Sequence, residues 1–137
     1  MFRTIDDTIS VSGQIAPGDV ATARAQGFAM IVNNRPDDEQ PGQPAGAEIE
    51  SAARAAGLAY AAIPVDHGGF ADWQVTAMTE ALAGAPGPVL AFCRSGTRST
   101  FLWALARARM GDPADALIAK AANAGYDISP VRGAIGG

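Results

Sequence analysis

The chain has 137 residues, 48% of them apolar and 18% charged, a composition that packs as a globular domain and excludes disordered or fibrous polypeptides. Its net charge of −4, with no Lys/Arg run, argues against a nucleic-acid partner and leaves only local sites for small anions. One cysteine and one histidine exclude an internal disulfide and a Cys/His zinc cluster, so no metal or other cofactor is expected.

A lone thiol suits a reducing compartment, which predicts a cytoplasmic protein. No run of about 18 or more apolar residues occurs, so neither a signal peptide nor a membrane span is expected. The length is that of one domain, spanning 1–137.

Ile9 to Ser12 alternates apolar and polar residues before Gly13 and predicts a short strand. Pro17-Gly18-Asp19 reads as a turn and N-cap for an alanine-rich helix that stops at Gly27. Phe28 to Val32 is a second apolar strand, followed by Asn33, Asn34 and Arg35. The proline- and acid-rich stretch from Pro36 to Gly46 is a loop, in which Asp37, Asp38 or Glu39 could pair with Arg35 at the surface. A helix over Ala47–Ala56 ends at Gly57, and Leu58 to Val65 forms a strand that delivers Asp66. After the loop His67-Gly68-Gly69, a helix runs from Asp72 to Leu82 and is broken between Gly84 and Pro88.

Val89 to Phe92 is the next strand and leads directly into Cys93. Ser99 to Met110 is helical, with Phe101, Leu102, Leu105 and Ala106 at the spacing of a buried face. Asp112-Pro113 starts a last helix that ends at Ala124, and the closing GAIGG reads as a loose tail. Trp73 and Trp103 fall on helices, where core packing is the default. Strands that are near-continuous apolar runs, alternating with helices, predict an α/β fold. Its central sheet is mostly parallel, has about four to five strands and is flanked by helices. Ligands of such sheets bind beyond the carboxyl ends of the strands, where Asp66 and Cys93 both lie.

The segment CRSGTRS, Cys93 to Ser99, carries the chemistry. A strand-to-helix turn aims unpaired N–H groups and the positive end of a helix dipole at one point. A cysteine there can fall in pKa from about 8.5 to roughly 3.5–7.5 and act as a nucleophile. Gly96 lets the backbone bring amides inward, Arg98 can fork two N–H groups onto an oxyanion, and Ser99 can cap the helix or hydrogen-bond the sulfur. Arg94, Ser95 and Thr97 complete the candidate substrate loop, although Arg94 also reads as a solvated surface charge. A cysteine buried merely as a core residue would not need this Gly, Arg and hydroxyl set beside it.

Asp66 is the candidate general acid, able to protonate a leaving oxygen and then activate water, or else a turn or helix cap. His67 could bind substrate or tune Asp66, or be a solvated loop residue. Arg35 could also reach an anion at this edge.

Three segments resemble the cysteine-dependent phosphatases of dual-specificity type. ISVSGQIAPGDVATARAQGFAMIVNNRPDDE is similar to their opening strand, helix and second strand. AAIPVD is similar to the strand bearing their general acid, and VLAFCRSGTRS to their nucleophile loop and following helix. Within that class the chain resembles the bacterial beta-lactamase hydrolase-like protein, phosphatase-like domain family, in which a CRSGTRS-type loop is typical. The resemblance implies Cys93 as nucleophile, Asp66 as acid and Arg98 as phosphate binder. It implies hydrolysis of phosphate monoesters through a phosphocysteine, with a small anion or a phosphoprotein as substrate.

Two departures open a second route. The phosphatase signature CxxGxxRS is a residue longer between Cys and Arg, and Phe92 stands where those enzymes often carry His. The spacing CxxGxRS instead resembles single-domain rhodaneses, implying a persulfide on Cys93 and a donor such as glutathione persulfide. Relatives fused to, or encoded beside, persulfide-oxidising enzymes point the same way. A non-catalytic anion-binding module is the third alternative.

Overall fold

A computed structural model describes residues 2–136. In chain order these form β1 (Arg3–Asp6), β2 (Ile9–Ser12), α1 (Pro17–Ala25), β3 (Met30–Asn33), α2 (Gly46–Ala55) and β4 (Ala59–Ala62). There follow α3 (Asp72–Gly84), β5 (Val89–Phe92), α4 (Thr97–Arg109), α5 (Ala114–Asn123) and a 3-10 helix over Ser129–Ile135. The five strands lie in the order β1-β2-β5-β3-β4, with every pair parallel except the β1–β2 hairpin. The α/β architecture expected from the alternating pattern is the one observed.

Alternate residues of β5 explain why its whole run is apolar. Val89 and Ala91 join the core under α3, α4 and α5, and Leu90 and Phe92 join the core under α1 and α2. Both faces of this central strand are covered, so no polar residue is tolerated on either. β5 pairs with β2 on one side and β3 on the other, which centres the end of β5 at the carboxyl edge of the sheet.

The differences from the sequence expectation have local causes. β1 was not expected because RTID is polar; it is an outer strand with Arg3 and Thr4 exposed, and only Ile5 is buried. Pro17 is the first residue of α1, where its missing N–H costs nothing, and Asp19 Oδ2 accepts the Ala16 N–H at 2.8 Å. β4 ends at Ala62, short of Val65, because Pro64 has no N–H for the ladder. The chain nevertheless stays beside β3: Ile63 N–H and Val65 N–H donate to the Asn33 and Asn34 carbonyls at 2.9 Å each. α4 starts at Thr97, inside the motif, two residues earlier than expected.

The tail expectation is corrected. Ser129–Ile135 winds as a 3-10 helix against α4 with Val131 and Ile135 buried, because two apolar side chains there can reach the core; Gly137 lies outside the described residues. Trp103 is buried in the core, but Trp73 is 54% exposed, on the outer side of the first turn of α3. None of the described helices is long and apolar enough to cross a membrane.

Candidate active site

The loop between β5 and α4 is built so that its carbonyls face away from Cys93. Cys93 N–H donates to the Ser12 carbonyl at 3.3 Å, which fixes the loop to the end of β2. Gln14 N–H donates to the Arg94 carbonyl at 3.3 Å, and the Tyr126 hydroxyl donates to the Ser95 carbonyl at 2.9 Å. In a planar peptide the N–H points opposite to the C=O, so the amides of Ser95 and Gly96 turn the other way. Gly96 N–H accordingly donates to Cys93 Sγ at 3.1 Å. Gly96 has φ +90°, the left-handed region, and is the N-cap of α4, whose dipole adds positive potential at the sulfur. A Cβ at Gly96 would run into the Tyr126 hydroxyl, so the position requires glycine on steric grounds as well.

Arg98 is held by Glu39 and the Val65 carbonyl. Its Nη1 donates to Glu39 Oε2 at 2.7 Å and to the Val65 carbonyl at 2.6 Å, and its Nη2 donates to Glu39 Oε1 at 2.9 Å. A guanidinium has five N–H groups; the Nε and second Nη2 hydrogens lie outside the Glu39 and Val65 bonds, and a side-chain hydrogen bond with Cys93 also acts on Arg98. Those two hydrogens form the side-on fork that fits an oxyanion. Hydrogen bonds from Arg98, opposed by burial and reinforced by Arg35, lower the Glu39 pKa from 4.5 to about 2. In return Glu39 raises the Arg98 pKa against burial, with a further contribution from the charge of Cys93.

Glu39 escaped the sequence argument as a site residue. It sits in an acidic run whose members look alike, and its partner is 59 residues away. It also anchors Arg35, whose Nε donates to Oε1 at 2.8 Å. Arg35 was expected at the surface; it is 4% exposed, with Gln14 and Gln40 accepting from its other nitrogens at 3.0 Å each. Its Nε and Nη2 bond the Glu39 loop and its Nη1 ties that loop to Gln14 after β2, so Arg35 braces the loop with all three nitrogens engaged.

Asp66, His67, Gly69 and Phe70 face Arg94, Ser95, Thr97, Arg98 and Phe101 across a cavity of about 560 Å³. The β4–α3 loop and the cysteine loop are thus brought together at the carboxyl edge of the sheet, across β3, which lies between β4 and β5. Asp66 is exposed and its Oδ1 accepts the Gly68 N–H at 2.7 Å, an Asx turn that leaves Oδ2 without a donor among the described residues. His67 is 77% exposed with Nε2 4.0 Å from Glu39 Oε2. Arg94 and Ser95 are exposed, and the Ser95 hydroxyl donates to Thr97 Oγ1 at 3.1 Å.

Ser99 makes neither of the contacts expected of it and does not face the substrate loop. It is fully buried and its hydroxyl donates to Asn34 Oδ1 at 2.8 Å, while Asn34 Nδ2 donates to the Ile63 carbonyl at 2.9 Å. It therefore neither caps α4 nor gives its proton to the sulfur; it ties α4 to the ends of β3 and β4. The Cys93 sulfur has no exposed surface, so a reacting group reaches it only when the groups over it move aside.

A parallel strand that hands a buried cysteine to an outward-carbonyl loop, with an arginine on the next helix, is similar to the nucleophile loop of dual-specificity-type cysteine phosphatases, and the chain has the phosphatase-like α/β fold of its structural neighbours. The profile of the family described as beta-lactamase hydrolase-like protein, phosphatase-like domain, matches residues 1–110, and the chain belongs to that family. A beta-lactamase hydrolase-like protein of Agrobacterium fabrum is 40% identical over 107 residues, which cover 78% of this chain and 25% of that protein. The chain therefore spans about a quarter of the length of the curated relatives it matches. A crystallised candidate phosphatase from Neisseria meningitidis superposes with a TM-score of 0.83 at 31% identity, covering 98% of this chain and 95% of that one. The catalytic core of Siw14 from S. cerevisiae, described as a PP-IP phosphatase, shares the fold with a TM-score of 0.70 at 12% identity, over 98% of this chain and 82% of its own.

Proposed function

We propose that the chain hydrolyses phosphate monoesters through a phosphocysteine on Cys93. The observation that carries this reading is the loop in which the Arg94 and Ser95 carbonyls are bound from outside while Gly96 N–H donates to Cys93 Sγ, beside the side-on fork of Arg98. The thiolate attacks phosphorus, forming the S–P bond as the P–O bond to the leaving group breaks, and Asp66 as a carboxylic acid gives that oxygen its proton. Arg98 and the loop amides take the charge that spreads over the equatorial oxygens. Asp66, now a carboxylate, takes a proton from water as the water oxygen attacks phosphorus. The S–P bond breaks, releasing phosphate and the thiolate. Arg94, Ser95 and Thr97 line the cavity where the rest of the substrate sits, and His67 borders it beside Asp66.

The test is steady-state hydrolysis of an aryl phosphate by the wild type and by Cys93→Ser. Turnover that disappears in the variant supports the proposal, and equal rates overturn it. The short loop, with four residues between Cys93 and Arg98, favours persulfide carriage as the second reading. Incubation with thiosulfate or glutathione persulfide, followed by intact mass, would then show one added sulfur on Cys93.

A further inference from the structure

Among the described residues the cysteine loop receives one hydrogen bond from outside the region matched by the family profile, and it comes from Tyr126. The sequence at the end of α5 explains how the tyrosine gets there. Gly125 has φ +95°, its N–H donates to the Ala122 carbonyl at 2.9 Å, and Tyr126 N–H donates to the Ala121 carbonyl at 2.9 Å. These two bonds are the Schellman pattern of a helix C-terminus, and they throw the residue after the glycine back across the helix end. The Arg3 guanidinium lies 5.6 Å from the Tyr126 ring centroid, and its Nη1 donates to the Ala124 carbonyl at 3.1 Å, so the ring is held from β1 as well.

Tyr126 donates to the Ser95 carbonyl, and the Gly96 N–H that meets the sulfur belongs to the same peptide group. Rotation of that peptide would exchange its ends and aim a carbonyl oxygen at the thiolate. Glycine at 96 makes both orientations sterically accessible, so the loop needs an outside brace to keep one of them. A hydrogen bond on the carbonyl also polarises the peptide and strengthens the bond its N–H makes.

We infer that Tyr126 is a positioning residue for the nucleophile: it locks and polarises the Ser95–Gly96 peptide so that the amide stabilises the Cys93 thiolate. The inference rests on the proposed role of Cys93 as nucleophile and extends the working site to the segment after α5. Burial raises the Tyr126 pKa, with the charge of Cys93 acting in the same direction and Arg3 opposing, so the phenol keeps its proton at neutral pH. Arg98 from α4 is the other titratable group that acts on the sulfur, with Glu39 behind it.

The test is the ultraviolet thiolate absorbance of the full chain against pH, with a Cys93→Ser background subtracted, for wild type and Tyr126→Phe. The phenylalanine keeps the ring under Arg3 and removes only the donor. The thiolate midpoint should rise by about half to one pH unit in the variant. Below that midpoint, aryl phosphate kcat/KM should fall about three- to tenfold. An unmoved midpoint overturns the inference, including when the variant melts earlier, since that result marks a purely structural tyrosine. If Tyr126→Phe does not fold, protein carrying a more acidic fluorotyrosine replaces it, and the stronger donor should lower the midpoint. The second tyrosine, Tyr60, bonds Asn33 and Gly46 and does not touch the loop. A midpoint that moves in protein without phosphatase turnover would uphold Tyr126 and overturn the proposed reaction, so the two failures are distinguishable.

Discussion

Replacing Glu39 by glutamine removes the charge that holds Arg98 while leaving a side chain of the same shape. Glutamine can accept one hydrogen bond from Arg98 where the carboxylate accepts two, at 2.7 and 2.9 Å, and it no longer balances Arg35. The Glu39 and Arg98 side chains are 17% and 11% exposed, so solvent screens the pair little. A carboxyl whose pKa falls from 4.5 to about 2 on folding contributes on the order of 3 kcal/mol at neutral pH. Because the folded value is depressed, that stability is present above pH 4.5 and is lost as pH falls toward 2. Urea unfolding should therefore show Glu39→Gln about 2–3 kcal/mol less stable than wild type at neutral pH, with the two converging near the low end of that window. With Arg98 steadied mainly by the Val65 carbonyl, kcat/KM should fall about tenfold or more. A stability difference that stays constant from neutral to acid pH would refute the ion-pair argument, and undiminished activity would refute the role assigned to Arg98.

Asp66→Asn should slow hydrolysis of an alkyl phosphate by about 10²-fold or more, because the leaving alkoxide needs a proton. An aryl phosphate with an acidic phenol should suffer less in the first step, and equal losses on both substrates would remove Asp66 from the leaving-group side. Ser99→Ala should cost about 1–3 kcal/mol in thermal or urea unfolding, since it leaves the fully buried Asn34 Oδ1 without its donor. A neutral result would mean that this tie between α4 and β3 is not structural.

Residues whose meaning is local were readable in the chain. The run Val89 to Phe92 could only be a doubly covered strand, and Cys93, Gly96 and Arg98 follow it at positions that need a strand-to-helix turn. Asp66 shares a cavity with the cysteine-loop residues Arg94, Ser95, Thr97 and Arg98 because a parallel sheet gathers its strand ends at one edge, a consequence of topology and not of any feature of Asp66 itself. Glu39 and Tyr126 were not legible as site residues, since each acts through long-range hydrogen bonds from a loop or a helix end. Asn34 carried a faint signal, a polar residue just past an apolar strand, but its tie to Ser99 depends on how α4 packs. The two tryptophans show the same limit: Trp73 lies on α3 and Trp103 on α4, and only the packing of each helix decides that Trp103 is inside and Trp73 outside. For β1, a polar outer strand carries too little periodicity to be seen until its partner is known.

The central claim is a covalent phosphocysteine, and its most direct measurement is rapid acid quench of the Asp66→Asn protein with an aryl phosphate bearing an acidic phenol. Such a leaving group needs no proton, while breakdown of the intermediate lacks its base, so the adduct should accumulate. Peptide mass spectrometry should then find one phosphoryl group on the peptide containing Cys93. Turnover of the substrate with that peptide never modified, or phosphate found on another residue, would contradict the account.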